Sequence, residues 1–557
     1  MRISHALVIA AGLSCLGQQA APPPGLPQAM ARLQAQDPAG ALAIAEQVVA
    51  REPANARAWR VLGIAAKGTK DLDRAMAAFR KSIELEPANP VGLYNTGVIY
   101  ALKGDRDRAF EWLGRAKGTR KIDMTQIQPD ADLVSLRGDP RFAALLPSPA
   151  DFAAPFVEDV KILREWDGEA MNDQFGWIAR PIGDVDRDGI TDIVTSAPGT
   201  PGPGTTAPGH VYLYSTKTGK LVWKADGEGN DRLGTGVEGA GDTNKDGVPD
   251  VIASAPGSGR AYVYSGKDGH VLLTMKAENA ADNFGAHASG VGDVNGDGYD
   301  DVIVGAPGNA ANGAGAGRAY VYSGKDGSLL LTLSGEHAGD GFGAAVAGGK
   351  RGSRVFLIVG APGAGAAHGG RSYVYTSLTQ KPAFVIEADE TGAALGAMFL
   401  SVLGDADGDK IPDIYVSDFS NGAKGPSTGR IYVHSGKDGH RLLTLTGEGA
   451  GEGFGIGPAN AGDVNHDGHD DLIVGAWQYA GAAPSGGRAY LYSGKDGSLL
   501  KTYTGKIPGE TFGFDAVGVG DIDGDGTIDL LITSAWSGIK GFHSGRMFVI
   551  SSGVRDH

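Results

Sequence analysis

A nine-residue acidic loop returns six times between residues 184 and 529, and any fold of this chain has to place all six copies. The clearest copy is Asp293-Val294-Asn295-Gly296-Asp297-Gly298-Tyr299-Asp300-Asp301, with side-chain oxygens at positions 1, 3, 5 and 9 (Asp293, Asn295, Asp297, Asp301). Gly298 at position 6 allows the positive φ of a tight loop. Hard cations such as Ca²⁺ take six to eight oxygens, and alternating carboxylates on a short loop converge on one point. The other copies are Asp184, Asp186, Asp188 and Asp192; Asp242, Asn244, Asp246 and Asp250; Asp405, Asp407, Asp409 and Asp413; Asp463, Asn465, Asp467 and Asp471; and Asp521, Asp523, Asp525 and Asp529. Position 7 usually offers its backbone carbonyl, which adds Ile190, Val248, Tyr299, Ile411, His469 and Thr527. An EF-hand needs flanking helices and a Glu at position 12. Here position 12 is Val304, in the β-branched run Val302-Ile303-Val304, so each loop belongs in a β-hairpin and the chain has up to six Ca²⁺ sites. Several copies start 58 residues apart (184 and 242; 405, 463 and 521). A further frame keeps Phe342-Gly343 and Gly360-Ala361-Pro362, but its loop, Gly348-Gly349-Lys350-Arg351-Gly352, has no carboxylate and is expected to bind no metal. Seven frames of this length point to a β-propeller of four-stranded blades.

The residues around the loops resemble the FG-GAP repeats of the integrin α-subunit propeller. The FG pair is Phe175-Gly176, Phe284-Gly285, Phe342-Gly343, Phe454-Gly455 and Phe512-Gly513, with Leu233-Gly234 and Leu395-Gly396 as variants. Gly305-Ala306-Pro307 and Gly360-Ala361-Pro362 carry the GAP. It is Ser196-Ala197-Pro198 and Ser254-Ala255-Pro256 elsewhere, drifts to Gly475-Ala476-Trp477 and Ser534-Ala535-Trp536, and is missing at Ser417-Asp418-Phe419. The resemblance covers about residues 160–557 and implies a seven-bladed propeller that binds Ca²⁺ and takes its ligand on the face opposite the metal loops. It is specific for fold and less so for function, because one fold hosts many.

The 557 residues exceed what one core organises, so two domains or more are expected. Glycine is 90 of them, about twice ordinary usage, with no three-residue period, which excludes collagen and fits tight β turns. The formal charge is −15, and six divalent ions would bring it close to neutrality. No basic patch with interleaved aromatics points to nucleic acid. Residues 1–21 read as an export signal, with Arg2 ahead of a short apolar run Ala6 to Leu16, too short to span a bilayer. No later run is long enough for a transmembrane helix. Cys15 is the only cysteine, so no disulfide forms within the chain; Gly12-Leu13-Ser14-Cys15 loosely resembles a lipoprotein cleavage box. Cys15 is then either a lipid anchor or discarded with the signal. The expected location is outside the cytoplasm: extracellular, periplasmic or on the cell surface.

Residues 22–150 switch to helical periodicity. Trp59, Leu62, Gly63, Ala75, Phe79 and Pro87, then Leu93, Gly97, Tyr100, Ala109 and Leu113 one 34-residue step on, resemble tetratricopeptide repeats, with Ala41 and Pro53 in phase one step back. Asp139-Pro140-Arg141-Phe142 opens a closing helix. These repeats either hold a partner peptide or protein or serve as a spacer. Pro147, Pro149 and Pro155 mark a linker over 151–159 before a propeller over 160–557.

Within each blade the spacing predicts a Gly-rich inner strand, the metal loop, a β-branched second strand, a third strand of the type Gly259-Arg260-Ala261-Tyr262-Val263-Tyr264, and a fourth. The chain stops after a third strand, Phe548-Val549-Ile550, and Val160 to Glu169 matches the fourth-strand pattern, so that segment is expected to close the ring. The loops after each GAP vary, and they lie at the other end of the blades from the metal loops. They set the expected surface for a protein or glycan ligand, with Tyr479 and Phe542 as anchors. Trp477 and Trp536 either join them or pack under the loops in place of the GAP proline. The reading is a Ca²⁺-binding interaction or adhesion protein, not an enzyme. The enzyme alternative is a quinoprotein dehydrogenase, whose repeat is similar to Thr218-Gly219-Lys220-Leu221-Val222-Trp223, or a polysaccharide lyase. Two observations oppose it: inner strands of mostly Gly, Ala and Val, and a single cysteine.

Overall fold

A computed structural model describes residues 25–201, 205–351, 354–365, 368–390, 394–457 and 460–554. The stretch expected to be an export signal, Cys15, Gly352 and part of the Thr200–Ala207 loop lie outside the described residues. The chain divides into two compact units after Pro147. Among the described residues no helix is long and apolar enough to cross a membrane.

The first unit is built from helix pairs: Leu26–Gln34 with Pro38–Arg51, Ala56–Gly68 with Leu72–Leu85, and Pro90–Leu102 with Arg106–Gly118. Asp37, Asn55, Asp71, Asn89 and Asp105 each cap the helix that follows by accepting a backbone N–H three residues on, worth about 1 kcal/mol apiece. Fully buried Phe79, Val98, Ile99 and Leu113 form the core. The closing helix is Pro140–Leu145.

The second unit is a seven-bladed propeller. Six blades run in chain order, each an antiparallel sheet of consecutive strands. The inner strand of blade six is in two described pieces, Phe454–Ile456 and Asn460–Gly462. Blade seven takes its first three strands, Ala516–Gly520, Asp529–Ser534 and Arg546–Ser551, from the end of the chain, and Ile162–Asp167 supplies the fourth. Trp166 lies opposite Met547, and Glu165 opposite Phe548. The expected closure is therefore present. The stretch 151–159, expected as a linker, is held by the propeller: Phe156 is buried between Phe512 and Phe548, and Val157 N donates to Thr504 O at 2.9 Å.

Blades are buried on both faces, which explains why second strands such as Asp301–Ala306 are buried along their whole length. A separate apolar core fills each gap between neighbours. On the third strand of blade three, Tyr320 enters the core shared with blade two, while Ala319 and Val321 enter the core shared with blade four. Trp166, Phe175 and Tyr212 pack with Leu531, Met547 and Val549 between blades seven and one, completing the ring. The glycine ahead of the third strand is steric in every blade but the second, where a Cβ on Gly259 would meet only Ala277 Cβ at 3.1 Å. A Cβ on Gly317 would come within 2.1 Å of Phe342 O, because the next blade's FG pair crosses there; Gly545 meets Phe175 O in the same way.

Candidate metal centres

Each acidic loop folds as a net of carboxylates holding the loop's own amides. In blade one, Asp184 Oδ1 accepts from Asp188 N at 3.0 Å and Oδ2 from Gly189 N at 2.8 Å. Asp188 Oδ1 accepts from Ile190 N at 3.0 Å. Position 9 reaches further. Asp192 Oδ2 accepts from Val185 N at 2.8 Å, and Oδ1 accepts from Thr216 N at 3.0 Å, in the turn joining the third and fourth strands. Asp250, Asp301, Asp413 and Asp471 repeat this with Gly266, Gly324, Gly436 and Gly494. The position-9 carboxylates are at most 1% exposed. They are structural ties as well as candidate ligands, a second role that loop spacing alone did not reveal.

Two loop positions, not one, take the left-handed backbone. Position 6 does so at Gly298 (φ 84°) and, without glycine, at Lys410 (φ 69°). Position 4 was missed: Gly296, Gly408 and Gly524 lie at φ 78–80°, and Arg187, Lys245 and His466 at 58–63°. The glycine in three of six copies was the available signal.

Burial pushes the position-9 carboxyls up, to about 6 at Asp192, Asp250 and Asp471 and about 7 at Asp413 and Asp529. Neighbouring loop carboxylates push the same way, and backbone N–H donors pull against both. A divalent cation among them reverses that logic. Carboxylate oxygens of Asp184, Asp186 and Asp192 lie within 4.8 Å of one another, as do those of Asp405, Asp407 and Asp413 and of Asp521, Asp523 and Asp529. In the other three loops position 3 is Asn244, Asn295 or Asn465. Asp188 Oδ2, Asp405 Oδ1 and Asp529 Oδ1 are buried and have no protein hydrogen-bond partner. Such orphaned, all-oxygen donors fit a hard cation. Asp529 Oδ1 is orphaned because blade seven borrows its fourth strand and has no turn there to donate an amide. Among the described residues three lysines reach the site carboxylates: Lys161 lies 2.5 Å from Asp523 Oδ2, Lys350, from the loop without carboxylates, 3.4 Å from Asp293 Oδ2, and Lys437 3.7 Å from Asp409 Oδ2.

The FG-GAP repeat family matches residues 175–214, 284–322 and 454–492, the first three strands of blades one, three and six. The tetratricopeptide repeat family matches residues 26–90. Integrin alpha-2 of Mus musculus is 31% identical over 169 residues, 27% of this chain and 14% of the relative. The chain is an integrin α-like FG-GAP propeller preceded by tetratricopeptide repeats. Integrin alpha-6 of Gallus gallus is 31% identical over 153 residues, 25% of this chain and 14% of the relative. Phosphatidylinositol-glycan-specific phospholipase D of Homo sapiens is 28% identical over 408 residues, 60% of this chain and 47% of the relative. The chain thus spans less than half the length of these relatives.

In the loops of the FG-GAP propeller opposite the metal sites, both expected anchors are half-buried. Tyr479 is half-buried, with the Arg488 guanidinium 3.8 Å from its ring centre. Phe542 is half-buried too and stacks on His543 at 3.5 Å. Neither side chain is an open aromatic anchor. Trp477 and Trp536 lie 4.9 Å apart and pack with Phe514 and Trp177, the arrangement in which they support the loops from beneath.

The propeller's axis is more polar than the expected Gly, Ala and Val lining. The inner strands of neighbouring blades lie side by side round it. Arg180 of blade one donates from Nε to Glu238 of blade two at 2.7 Å and from Nη1 to Asp515 of blade seven. Ala179 N adds a bond to Asp515 at 2.9 Å. His287 of blade three has its imidazole held down at about 4, first by burial and then by Arg180, so it is neutral at pH 7. Arg180 and its two carboxylates form a cross-brace, with the charges committed to one another.

In the tetratricopeptide unit the chain after the third repeat folds back on itself. Ala131–Leu136 packs on Pro90–Leu102, Tyr94 Oη donates to Asp130 Oδ2 at 2.6 Å, and Asp132 reaches Lys67 at 2.5 Å. Leu133 and Leu136 are fully buried there. The chain itself thus covers part of the first helices of the second and third repeats.

Proposed function

We propose that this protein is an exported, Ca²⁺-stabilised interaction module of the integrin α type. The observation that carries the reading is the contrast between the two ends of the blades. One end repeats the same oxygen-bearing loop six times, with a buried carboxylate oxygen lacking a protein partner in loops one, five and seven. The other end presents loops of differing length on the same rigid frame. Asp, Asn and the position-7 carbonyl of each complete loop hold the ion; blade four holds none. The ion supplies positive charge that lets the crowded carboxylates stay ionised, and the loop residues fix the hairpins that set blade spacing. The partner is a protein or glycan docked on the loops after each GAP, near Tyr479 and Phe542, whose rings would have to be uncovered. The helical repeats offer a second surface for a peptide or protein, reduced by the folded-back segment.

The experiment is capture of partners by the full chain from extracellular and membrane fractions, with Ca²⁺ and with chelator, followed by the Tyr479→Ala/Phe542→Ala double variant. Capture that needs Ca²⁺ and is lost in the double variant supports the reading. Capture that survives both, yet disappears when residues 22–150 are trimmed, moves the site to the helical repeats. Turnover by the pure protein in screens for quinone-dependent alcohol oxidation, glycan cleavage or phosphodiester hydrolysis would replace the binding reading with an enzymatic one.

A further inference from the structure

Adjacent metal loops touch, but not uniformly. At four boundaries position 8 of a loop packs on the residue preceding the loop in the blade before it, and its identity differs round the ring. Pro249 of loop two and Ile528 of loop seven make apolar contacts with Gly183 and Gly462. In loops three and six the position is an aspartate, and its carboxylate bonds across the blade boundary. Asp300 Oδ2 accepts from Asp242 N at 2.8 Å, and Asp300 N donates back to Asp242 O at 3.2 Å. Asp470 Oδ2 accepts from Asp405 N at 2.7 Å, and Asp470 N donates to Asp405 O at 2.9 Å. Each contact thus joins the first candidate ligand of one loop to the residue lying between two candidate ligands, positions 7 and 9, of the next.

We propose that Asp300 and Asp470 are positioning residues that couple the metal sites in pairs: two with three, and five with six. The inference rests on the metal reading above. An ion in loop three fixes Tyr299 and Asp301, and so fixes Asp300 between them. Asp300 in turn holds the amide of Asp242, whose carboxylate belongs to loop two. Emptying loop three frees that acceptor and leaves loop two to order its own first ligand. The coupling is reciprocal, because it is a difference in binding free energy shared by the two sites. In the five–six pair the orphaned buried oxygen Asp405 Oδ1 belongs to the aspartate whose amide Asp470 holds. His469 Nδ1 adds a contact to Ala406 O at 2.8 Å. Loop seven has no such carboxylate toward loop six, and loop one has Thr191 at position 8, whose Oγ1 accepts from Gly183 N of its own blade. The ring is therefore wired in two pairs, not as one cooperative unit.

The test is amide hydrogen exchange of the full chain across a Ca²⁺ titration, read peptide by peptide. Asp297→Ala, which removes a ligand of site three, should raise the Ca²⁺ midpoint for protection of residues 242–250 by about fivefold or more, and leave residues 463–471 unchanged. Asp300→Ala should produce the same shift in loop two, and adding Asp297→Ala should shift it no further. Asp300→Asn keeps an oxygen acceptor for Asp242 N and should retain the coupling. Asp525→Ala, at the unlinked boundary, should leave loop six unmoved. If Asp297→Ala abolishes protection of loop three while the loop-two midpoint stays put, the sites are independent and the coupling is refuted with the metal reading intact. If no loop gains protection from Ca²⁺ in the unaltered chain, the metal reading itself falls, and this inference with it.

Discussion

Replacing Asp192 by Asn and Asp186 by Ala separates the two jobs the loops perform. Asp186 is an exposed position-3 residue whose carboxylate joins the cluster with Asp184 and Asp192. Asp192 is fully buried and has one oxygen on Val185 N and the other on Thr216 N. Asn offers one oxygen where Asp offers two, so Asp192→Asn turns an NH₂ toward a backbone donor. A buried amide left unpaired costs about 1–3 kcal/mol, with or without metal. A site with a dissociation constant near 10⁻⁴ M contributes about 1.4 kcal/mol at about 1 mM Ca²⁺. Asp186→Ala should therefore lose about 1.4 kcal/mol in Ca²⁺ and almost nothing in chelator. Asp192→Asn should lose about 2 kcal/mol in chelator and about 3.5 kcal/mol in Ca²⁺.

The assay is calorimetric melting of the propeller in Ca²⁺ and in chelator at one fixed scan rate, since large chains often unfold irreversibly. For a unit of about 400 residues, 1 kcal/mol corresponds to about 1 °C. Six sites then total about 8 kcal/mol, and chelation alone should lower the melting temperature by about 10 °C. Asp192→Asn melting with the unaltered chain in chelator would refute the structural role of position 9. Asp186→Ala destabilising equally in both buffers would refute a metal at position 3. No effect of chelation on the unaltered chain would refute the stabilising role of Ca²⁺ altogether.

Other outcomes follow from the same structure. In chelator, the raised carboxyls of Asp192, Asp250, Asp413, Asp471 and Asp529 bind more protons folded than unfolded between about pH 4 and 7. Their contribution is present below that window and lost as pH rises through it, while His287 and His434, lowered by burial, oppose the trend below about pH 6.5. The melting temperature should therefore fall from about pH 4 to 7 in chelator and fall less in Ca²⁺; a rise across that window in chelator is the contrary result. Trp166→Ala should cost about 3–5 kcal/mol in equilibrium unfolding, because Trp166 is buried beside Tyr214 and donates to Gly219 O at 2.9 Å across the closing boundary. A loss below about 1 kcal/mol would show that the borrowed strand does not hold the ring. Lys410→Gly removes a left-handed lysine worth about 1 kcal/mol, and should tighten Ca²⁺ at loop five as read by isothermal titration; unchanged affinity would mean the strain is absent.

What the sequence disclosed and what it concealed divide along one physical line. Features set by neighbours along the chain were legible. The acidic loops, the FG and GAP pairs and the third-strand arginines repeat at fixed spacing. Even the closing strand could be read, because Val160 to Glu169 copies the pattern of Leu221 to Glu228. Contacts between distant positions were not. Arg180 and Asp515 meet across 335 residues, and each is a single charge in a strand of small residues, so no local pattern marks them as partners. Thr216 lies 24 residues beyond Asp192, and only the folded blade brings its amide to that carboxylate. The half-burial of Tyr479 depends on Arg488, whose own place in the repeat was visible while its reach over the loop was not. The Asp300–Asp242 contact sits on the same line. Loops two and three start 51 residues apart, at 242 and 293, and the 58-residue separation adds the seven places from position 1 of one loop to position 8 of the next. The pairing still could not be inferred from the repeat itself, because only loop six shares the aspartate and the remaining loops carry Thr, Pro or Ile at position 8. A ring of copies conceals its links because the links lie in the departures from the repeat, and a departure has meaning only once the neighbouring blade is in place.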